Sequence, residues 1–284
     1  GRRISIKDRI AVQEGFSPIR IRDFSSLVRD VFLYTIAIEL AGGLSLFIGF
    51  ARQFPWKRAA VLSLFHSVSA FCNAGFSLFP DSLTAYRGEA WLNATVLLLI
   101  VLGGIGFLVQ RELIGALGLR HRPKFRLSLQ AKLALAVTLI LILFPWGFFL
   151  WMAWDRSLKT FSLKGKVLAS LFQVVTPRTA GFHTMDVASI GTAAALLLML
   201  LMFIGASPGS TGGGVKTNTV GVVFAFLRSK IAAKETAALF RRTIPPATII
   251  RAFTVVSLAL TFVFLFSFVL VLDQPELGLK EAAF

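Results

Sequence analysis

Cysteine occurs once in this chain, at Cys72, so no internal disulfide framework holds it together. Histidine is almost as scarce. His66, His121 and His183 are scattered, and three such residues with a single thiol make no metal site. Acidic side chains number 14 against 30 lysines and arginines, which leaves a formal charge of +16. A basic excess of that size can serve nucleic acid. Here the basic residues fall in clusters separated by apolar stretches of bilayer length, which argues against that partner. Nor does the opening stretch read as a cleavable leader: Gly1–Asp30 is polar, with acidic and basic residues mixed. The first residue is glycine rather than methionine, as expected of a piece of a longer sequence. What the chain has instead is apolar bulk. Hydrophobic residues make up 56% of it, 28 residues are Phe, and only 15% are charged, a balance that fits a multi-span membrane protein with basic loops and the lipid bilayer as its solvent.

A hydrocarbon core about 30 Å thick takes about 20 apolar residues in a helix. Val31–Phe50, Ala90–Gln110, Ala131–Trp154 and Thr248–Leu272 meet that requirement, and Ala90–Gln110 reads as uninterrupted apart from Gly103, Gly104 and Gly106. Val187–Ile204 is also apolar but runs into a glycine-rich stretch, Gly205–Gly214, after which helix is expected to resume at Val215 and reach about Lys230. That pattern predicts one span broken in its middle. Seven Lys and Arg lie in Gly1–Asp30, six in Arg111–Lys132 and six in Arg228–Arg251, whereas the segments between spans that contain the two Gly-Phe loops hold four and, counting Arg178, five. The bias puts 1–30, 111–130 and 231–247 on the cytoplasmic side. Trp56, Trp91, Trp151 and Trp154 then fall near the outer interface.

Two stretches between the spans nearly repeat each other. Ser63-Leu-Phe65 leads to Ala74-Gly-Phe76, and Ser170-Leu-Phe172 leads to Ala180-Gly-Phe182, with Gly75 and Gly181 106 residues apart. The fold class expected is therefore all-α integral membrane, built of helix–pore loop–helix units. Residues 1–30 form a linker from a preceding unit, 31–110 the first complete unit, 111–130 a basic linker, and 131–230 a second unit whose last helix is broken. Residues 231–247 form another basic linker, and 248–284 the first helix of a further unit. The ending Lys280–Phe284 echoes Lys57–Val61, which opens the first short helix.

Ala59–Phe71 and Lys166–Thr176 read as short pore helices. The segments after them, Cys72, Asn73, Ala74, Gly75 and Phe76, and Arg178, Thr179, Ala180, Gly181 and Phe182, read as extended filter strands. A filter that replaces an ion's hydration shell with backbone carbonyls needs backbone shape more than side-chain chemistry, and a glycine free to adopt φ > 0. The plainer alternative is a pair of tight turns between membrane helices. Within Gly205–Gly214, the run Gly205-Ala-Ser207-Pro-Gly209 satisfies the nucleophile-elbow pattern. All three histidines precede Ser207, however, so the required order fails. The same stretch approximates a phosphate-binding loop, but Lys216 comes one residue late and the segment lies within a span. No enzyme is expected. Glycines and Pro208 cannot sustain a helix there, so Gly205, Ser207, Pro208, Gly209, Ser210, Thr211, Gly212, Gly213 and Gly214 read as a loop across the conduction path, a gate, with Ser207, Ser210 and Thr211 supplying hydroxyls to freed backbone groups. A static kink is the plainer alternative. Lys216 is either an anchor for the loop or a charge acting on permeation. Arg178 is expected to pin its strand through backbone or carboxylate contacts, His66 and His183 to pack the loops, and Glu39 stays unassigned.

Ser69–Ser77, Thr176–Phe182, Gly205–Lys216 and Leu102–Phe107 together resemble the Trk/Ktr/HKT family of potassium transporters, and within it the bacterial Ktr/Trk-like pore-forming subunits. The likeness runs over essentially the whole chain and matches the second and third of four repeats, with the edges of the first and fourth. It implies K+ transport in the bacterial inner membrane through a filter of backbone carbonyls, with K+ as the transported ion and no bound cofactor. A homodimer and a cytoplasmic nucleotide-binding regulatory subunit are implied as partners. The family shifts toward sodium where a filter glycine is serine, and both visible loops keep glycine. Cys72 departs from the small polar residue expected at its position. A secondary transporter of another substrate, bound at the broken helix, is the alternative.

Overall fold

The computed structural model describes residues 24–116, 127–186, 190–240 and 242–274, together with 276, 278 and 282. Most of the 1–30 linker, residues 117–126, the start of the span expected at Val187–Ile204 and most of Lys280–Phe284 lie outside the described residues. Within them, the chain folds as α1 (Phe24–Phe50), α2 (Trp56–Phe71), a 3-10 turn at Thr84–Tyr86, α3 (Ala90–Gly104), α4 (Phe107–Ala116), α5 (Leu129–Ala153), α6 (Leu163–Val175), α7 (Thr192–Phe203) and α8 (Thr217–Ile231). A two-residue hairpin, β1 (Ala238–Leu239) with β2 (Arg242–Thr243), and α9 (Pro246–Asp273) follow.

Three helices, α1, α5 and α9, are long and apolar enough to cross a membrane, and α3 with α4 makes a fourth if that bent pair is one span. Local chemistry sets their ends. Ser128 caps α5 by accepting from the Ala131 N–H at 3.1 Å, and Ser162 caps α6 by accepting from the Gly165 N–H at 3.2 Å. Pro246 stands at the start of α9, where its missing N–H is harmless. Pro145 lies inside α5, a position that membrane helices tolerate. At about 1.5 Å per residue, α2 and α6 are about 24 Å and 20 Å long, short of a hydrocarbon core.

The expectation of an uninterrupted Ala90–Gln110 is corrected. Its helix stops at Gly104, turns through 105°, and restarts at Phe107. Gly106, with φ +91, makes the corner. A Cβ there would fall 2.4 Å from the Pro208 carbonyl oxygen, so the corner admits only glycine and lies against the glycine-rich stretch. The broken span at Gly205–Gly214 has the form expected: α7 ends at Phe203, α8 begins at Thr217, and the intervening chain folds back on itself. The Gly205 N–H donates to the Val215 carbonyl at 3.1 Å and the Val215 N–H to the Phe203 carbonyl at 3.0 Å.

The main core joins α1, α2 and α3 to the second short helix. Leu46, Phe50, Leu62, Phe71, Val96 and Ile100 pack with Phe172, Val175, Ala180 and Phe182. His66 is fully buried there and stacks on Phe79 at 5.0 Å, its ring nitrogens bonded to the Leu62 carbonyl and the Ser77 hydroxyl. It packs the loop, as expected. His183 holds the same loop by backbone bonds to Ser82 and Leu83. A second core lies between α5, α6 and α7, around Phe149, Leu158, Val174 and Leu198. By contrast α9 is almost wholly exposed, meeting α8 through Phe226 and Phe253.

Candidate functional site

Each short helix delivers the chain into a turn of unusual backbone. After α2, Asn73 has φ 52 and Gly75 φ 72; after α6, Thr179 has φ 73 and Gly181 φ 86. Left-handed residues at alternate positions recur at matching places in the two motifs. Asparagine bears that conformation more readily than most residues, while threonine resists it. Each turn is braced from its own helix. The Ala74 N–H donates to the Ser69 carbonyl at 2.9 Å and the Ser69 hydroxyl to the Phe76 carbonyl at 2.8 Å. In the second turn the Ala180 N–H donates to the Thr176 carbonyl at 2.9 Å, and the Thr176 hydroxyl donates to the Phe182 carbonyl.

Among the described residues, the carbonyls of Asn73, Ala74, Gly75, Thr179, Ala180 and Gly181 accept no hydrogen bond. Ala74 and Gly181 are exposed and Gly75 and Thr179 half-buried, so most of these unpaired carbonyls lie at the open side of two matching turns rather than in the core. The turns also touch each other. A Cβ on Gly75 would fall 2.5 Å from the Ala180 carbonyl oxygen and 2.8 Å from the Gly181 Cα, and one on Gly181 3.2 Å from the Gly75 Cα. No side chain fits between them.

The glycine-rich loop lies against both turns and against the α3–α4 corner. Backbone bonds tie it to the corner: Ser207 N–H to the Gly104 carbonyl at 2.9 Å, Phe107 N–H to the Gly209 carbonyl at 2.8 Å, and Thr211 N–H to the Gly103 carbonyl at 3.2 Å. Side chains tie it to the turns. The Thr211 hydroxyl donates to the Phe71 carbonyl at 2.9 Å and accepts from the Asn73 amide at 2.8 Å, while the Gly213 N–H donates to the Thr179 hydroxyl at 3.1 Å. Inside the loop, Ser210 donates to the Ser207 carbonyl at 2.6 Å, and Ser207 and Thr217 share a fully buried hydroxyl pair at 2.9 Å. Lys216 donates to the Gly212 carbonyl at 2.6 Å, the contact of an anchor. Glycines make the closeness possible. A Cβ at Gly103 would overlap the Phe71 carbonyl at 1.9 Å, and one at Gly212 would fall 2.6 Å from the Thr179 hydroxyl.

Arg178 is 5% exposed and pairs with no carboxylate among the described residues. Among the described residues its side chain makes one hydrogen bond, a long 3.5 Å contact to the Thr138 hydroxyl of α5, with Nε unpartnered, while its backbone N–H donates to the Val175 carbonyl at 3.3 Å; no carboxylate takes part in the pin. Glu39 pairs with no base among the described residues. Its carboxylate accepts the Cys72 thiol at 3.7 Å, and its backbone carbonyl accepts the Ser67 hydroxyl at 2.7 Å. Sequence reasoning missed three participants: the side chains of Asn73 and Thr179, which serve the loop, and the corner at Gly103–Gly106. The corner had a signal, three glycines followed one helical turn later by Gln110, Arg111 and Glu112. Arg111 in turn pairs with buried Asp30 of α1 at 3.2 Å, and Glu112 accepts from the Ser128 N–H at 2.8 Å.

Long apolar helices, interleaved with short ones that end in glycine turns, define a multi-pass helical membrane protein. The chain belongs to the TrkH family of cation transport proteins, whose model matches residues 7–279. It is 37% identical over 276 residues to Ktr system potassium uptake protein B of Bacillus subtilis, covering 96% of this chain and 61% of that protein. It is 35% identical over 257 residues to the potassium/sodium uptake protein NtpJ of Enterococcus hirae, covering 89% of this chain and 55% of that protein. The fold is similar to the crystal structure of the potassium transporter TrkH from Vibrio parahaemolyticus, with a TM-score of 0.71 at 18% identity over 96% of this chain and 58% of that one. The chain thus spans about three-fifths of the length of these relatives.

Proposed function

We propose that the full-length protein carrying this chain passes K+ across the bacterial inner membrane through backbone carbonyls, and that the glycine-rich loop gates the path. The observation that carries this reading is the set of free carbonyls on two matching left-handed turns, with the loop bonded to both. Carbonyl oxygens in such a run can replace an ion's hydration shell. Gly75 and Gly181 are in contact. An ion path therefore needs further strands, and four such units make one pore under this reading. The names of the potassium-uptake relatives support K+ as substrate, and NtpJ's name adds sodium as a competitor to be measured. A homodimer and a cytoplasmic nucleotide-binding regulatory subunit are proposed as partners on the same likeness, with the basic linkers facing the cytoplasm.

The full-length protein, expressed in a bacterium lacking its own potassium uptake systems, restores growth at low K+ and accumulates rubidium tracer. Absence of both, with the protein present in the membrane, overturns the reading.

The second reading, a transporter of another solute, gains one point from the structure. Broken helices occupy corresponding places, α3 with α4 and α7 with α8, as paired discontinuous helices do in such transporters. Three backbone bonds close the two breaks onto each other, however, and use the very groups that would hold a solute. The K+ reading is therefore preferred.

A further inference from the structure

The glycine-rich loop touches the two glycine turns through only a few groups, and all of them centre on two threonines. On one side the Thr211 hydroxyl is fully used, donating to the Phe71 carbonyl and accepting from the Asn73 amide. Phe71 is the last residue of α2, and Asn73 is the first left-handed residue of the turn. The hydroxyl thus braces both the end of the short helix and the residue that begins the unusual backbone. Asn73 is 9% exposed, and its amide also lies 3.4 Å from the Phe71 carbonyl, a longer and weaker contact than the one to Thr211. On the other side Thr179, itself left-handed, accepts the Gly213 N–H. Each turn is therefore fixed to the loop at its left-handed residue next before the glycine.

We propose that Thr211 and Thr179 are positioning residues that latch the closed loop onto both glycine turns, so that opening the loop changes the shape of the filter and with it the ion selected. This rests on the filter-and-gate reading above and adds a coupling between the two. The physical reason lies in what leaves with the loop. When Thr211 departs, the Phe71 carbonyl and the Asn73 amide lose their closest partner together, inside a buried region where unmade hydrogen bonds are costly. Asn73 then has less to hold it in a left-handed conformation two residues before Gly75.

The test uses the full-length transporter in uptake-deficient cells, with rubidium influx and the sodium-to-potassium competition ratio as paired readouts. Thr211→Val keeps the shape of the side chain and removes the hydroxyl. Losing one to two hydrogen bonds of ordinary net strength favours the open loop by about five- to thirtyfold, so influx rises by that order and discrimination against sodium falls. Thr211→Ser, which retains the hydroxyl, returns both readouts toward the parent. Thr179→Val is read in the same way if Thr211→Val does not accumulate in the membrane. Influx that rises with sodium discrimination unchanged overturns the coupling, because the loop then opens without moving the filter. Unchanged influx in both valine variants, beside raised influx when Gly209–Gly214 is shortened, overturns the latch and leaves the gate. Unchanged influx in the shortened loop as well removes the gate reading itself.

Discussion

Gly75 and Gly181 each answer two demands at once. Their φ values of 72 and 86 lie where a Cβ is strained, and each occupies space that the other's backbone needs. Serine at Gly75 would press on the Ala180 carbonyl, one of the free oxygens proposed to meet the ion. Gly75→Ser and Gly181→Ser should therefore shift transport toward sodium, which competition of sodium against rubidium influx would reveal. A potassium preference equal to the parent's in both would place these residues outside the filter. Serine at Gly181 has slightly more room, with its nearest contact at 3.2 Å rather than 2.5 Å. The milder effect is expected there. Asn73 and Thr179 show a different economy, since their backbones shape the turn while their side chains hold the loop.

Among the elements, the α3–α4 corner has the largest consequence for the loop. It offers two carbonyls and one N–H to three loop residues, and it does so because the helix stops at Gly104. Gly106→Ala would force a Cβ against the Pro208 carbonyl and strain a left-handed residue by at least about 1 kcal/mol. The expected outcome is a lower thermal midpoint in detergent and a leak of rubidium through a loosened loop. A variant with the parent's midpoint and influx would show the corner to be passive. The α4 helix that leaves the corner is in turn held by Arg111 against Asp30, where Asp30 is 3% exposed and Arg111 28%. This pair joins α1 to α4, the helix that leaves the corner.

At the scale of the molecule, the proposed orientation puts the basic linkers on the cytoplasmic side. With Cys72 changed to serine, a cysteine at Gly88 should react with a membrane-impermeant thiol reagent in intact spheroplasts, and one at Lys234 should react only after lysis. Gly88 has open space for a side chain and Lys234 is exposed, so neither substitution disturbs packing. The reverse pattern would invert the topology.

Much of this arrangement could be read along the chain. Run length and apolar content located α5 and α9 to within two residues and the end of α1 at Phe50, because a membrane span is a local property of about 20 consecutive residues. The α1 helix begins seven residues before the expected Val31. Paired glycine motifs marked both turns, and a cluster of glycines around Pro208 marked the broken helix. The corner at Gly106 escaped, since isolated glycines in an apolar run are compatible with a continuous helix until a neighbour occupies their missing side chains. That neighbour, Pro208, is about a hundred residues away. The partners of Asn73 and Thr179 escaped for the same reason: Thr211 is 138 positions from Asn73, and Gly213 is 34 from Thr179. Sequence alone determined where helix is possible and where only glycine gives the backbone its freedom, for these follow from a residue's own chemistry and its near neighbours. Only the tertiary structure decided which free backbone meets which, because hydrogen bonds across such separations exist only after the spans have packed.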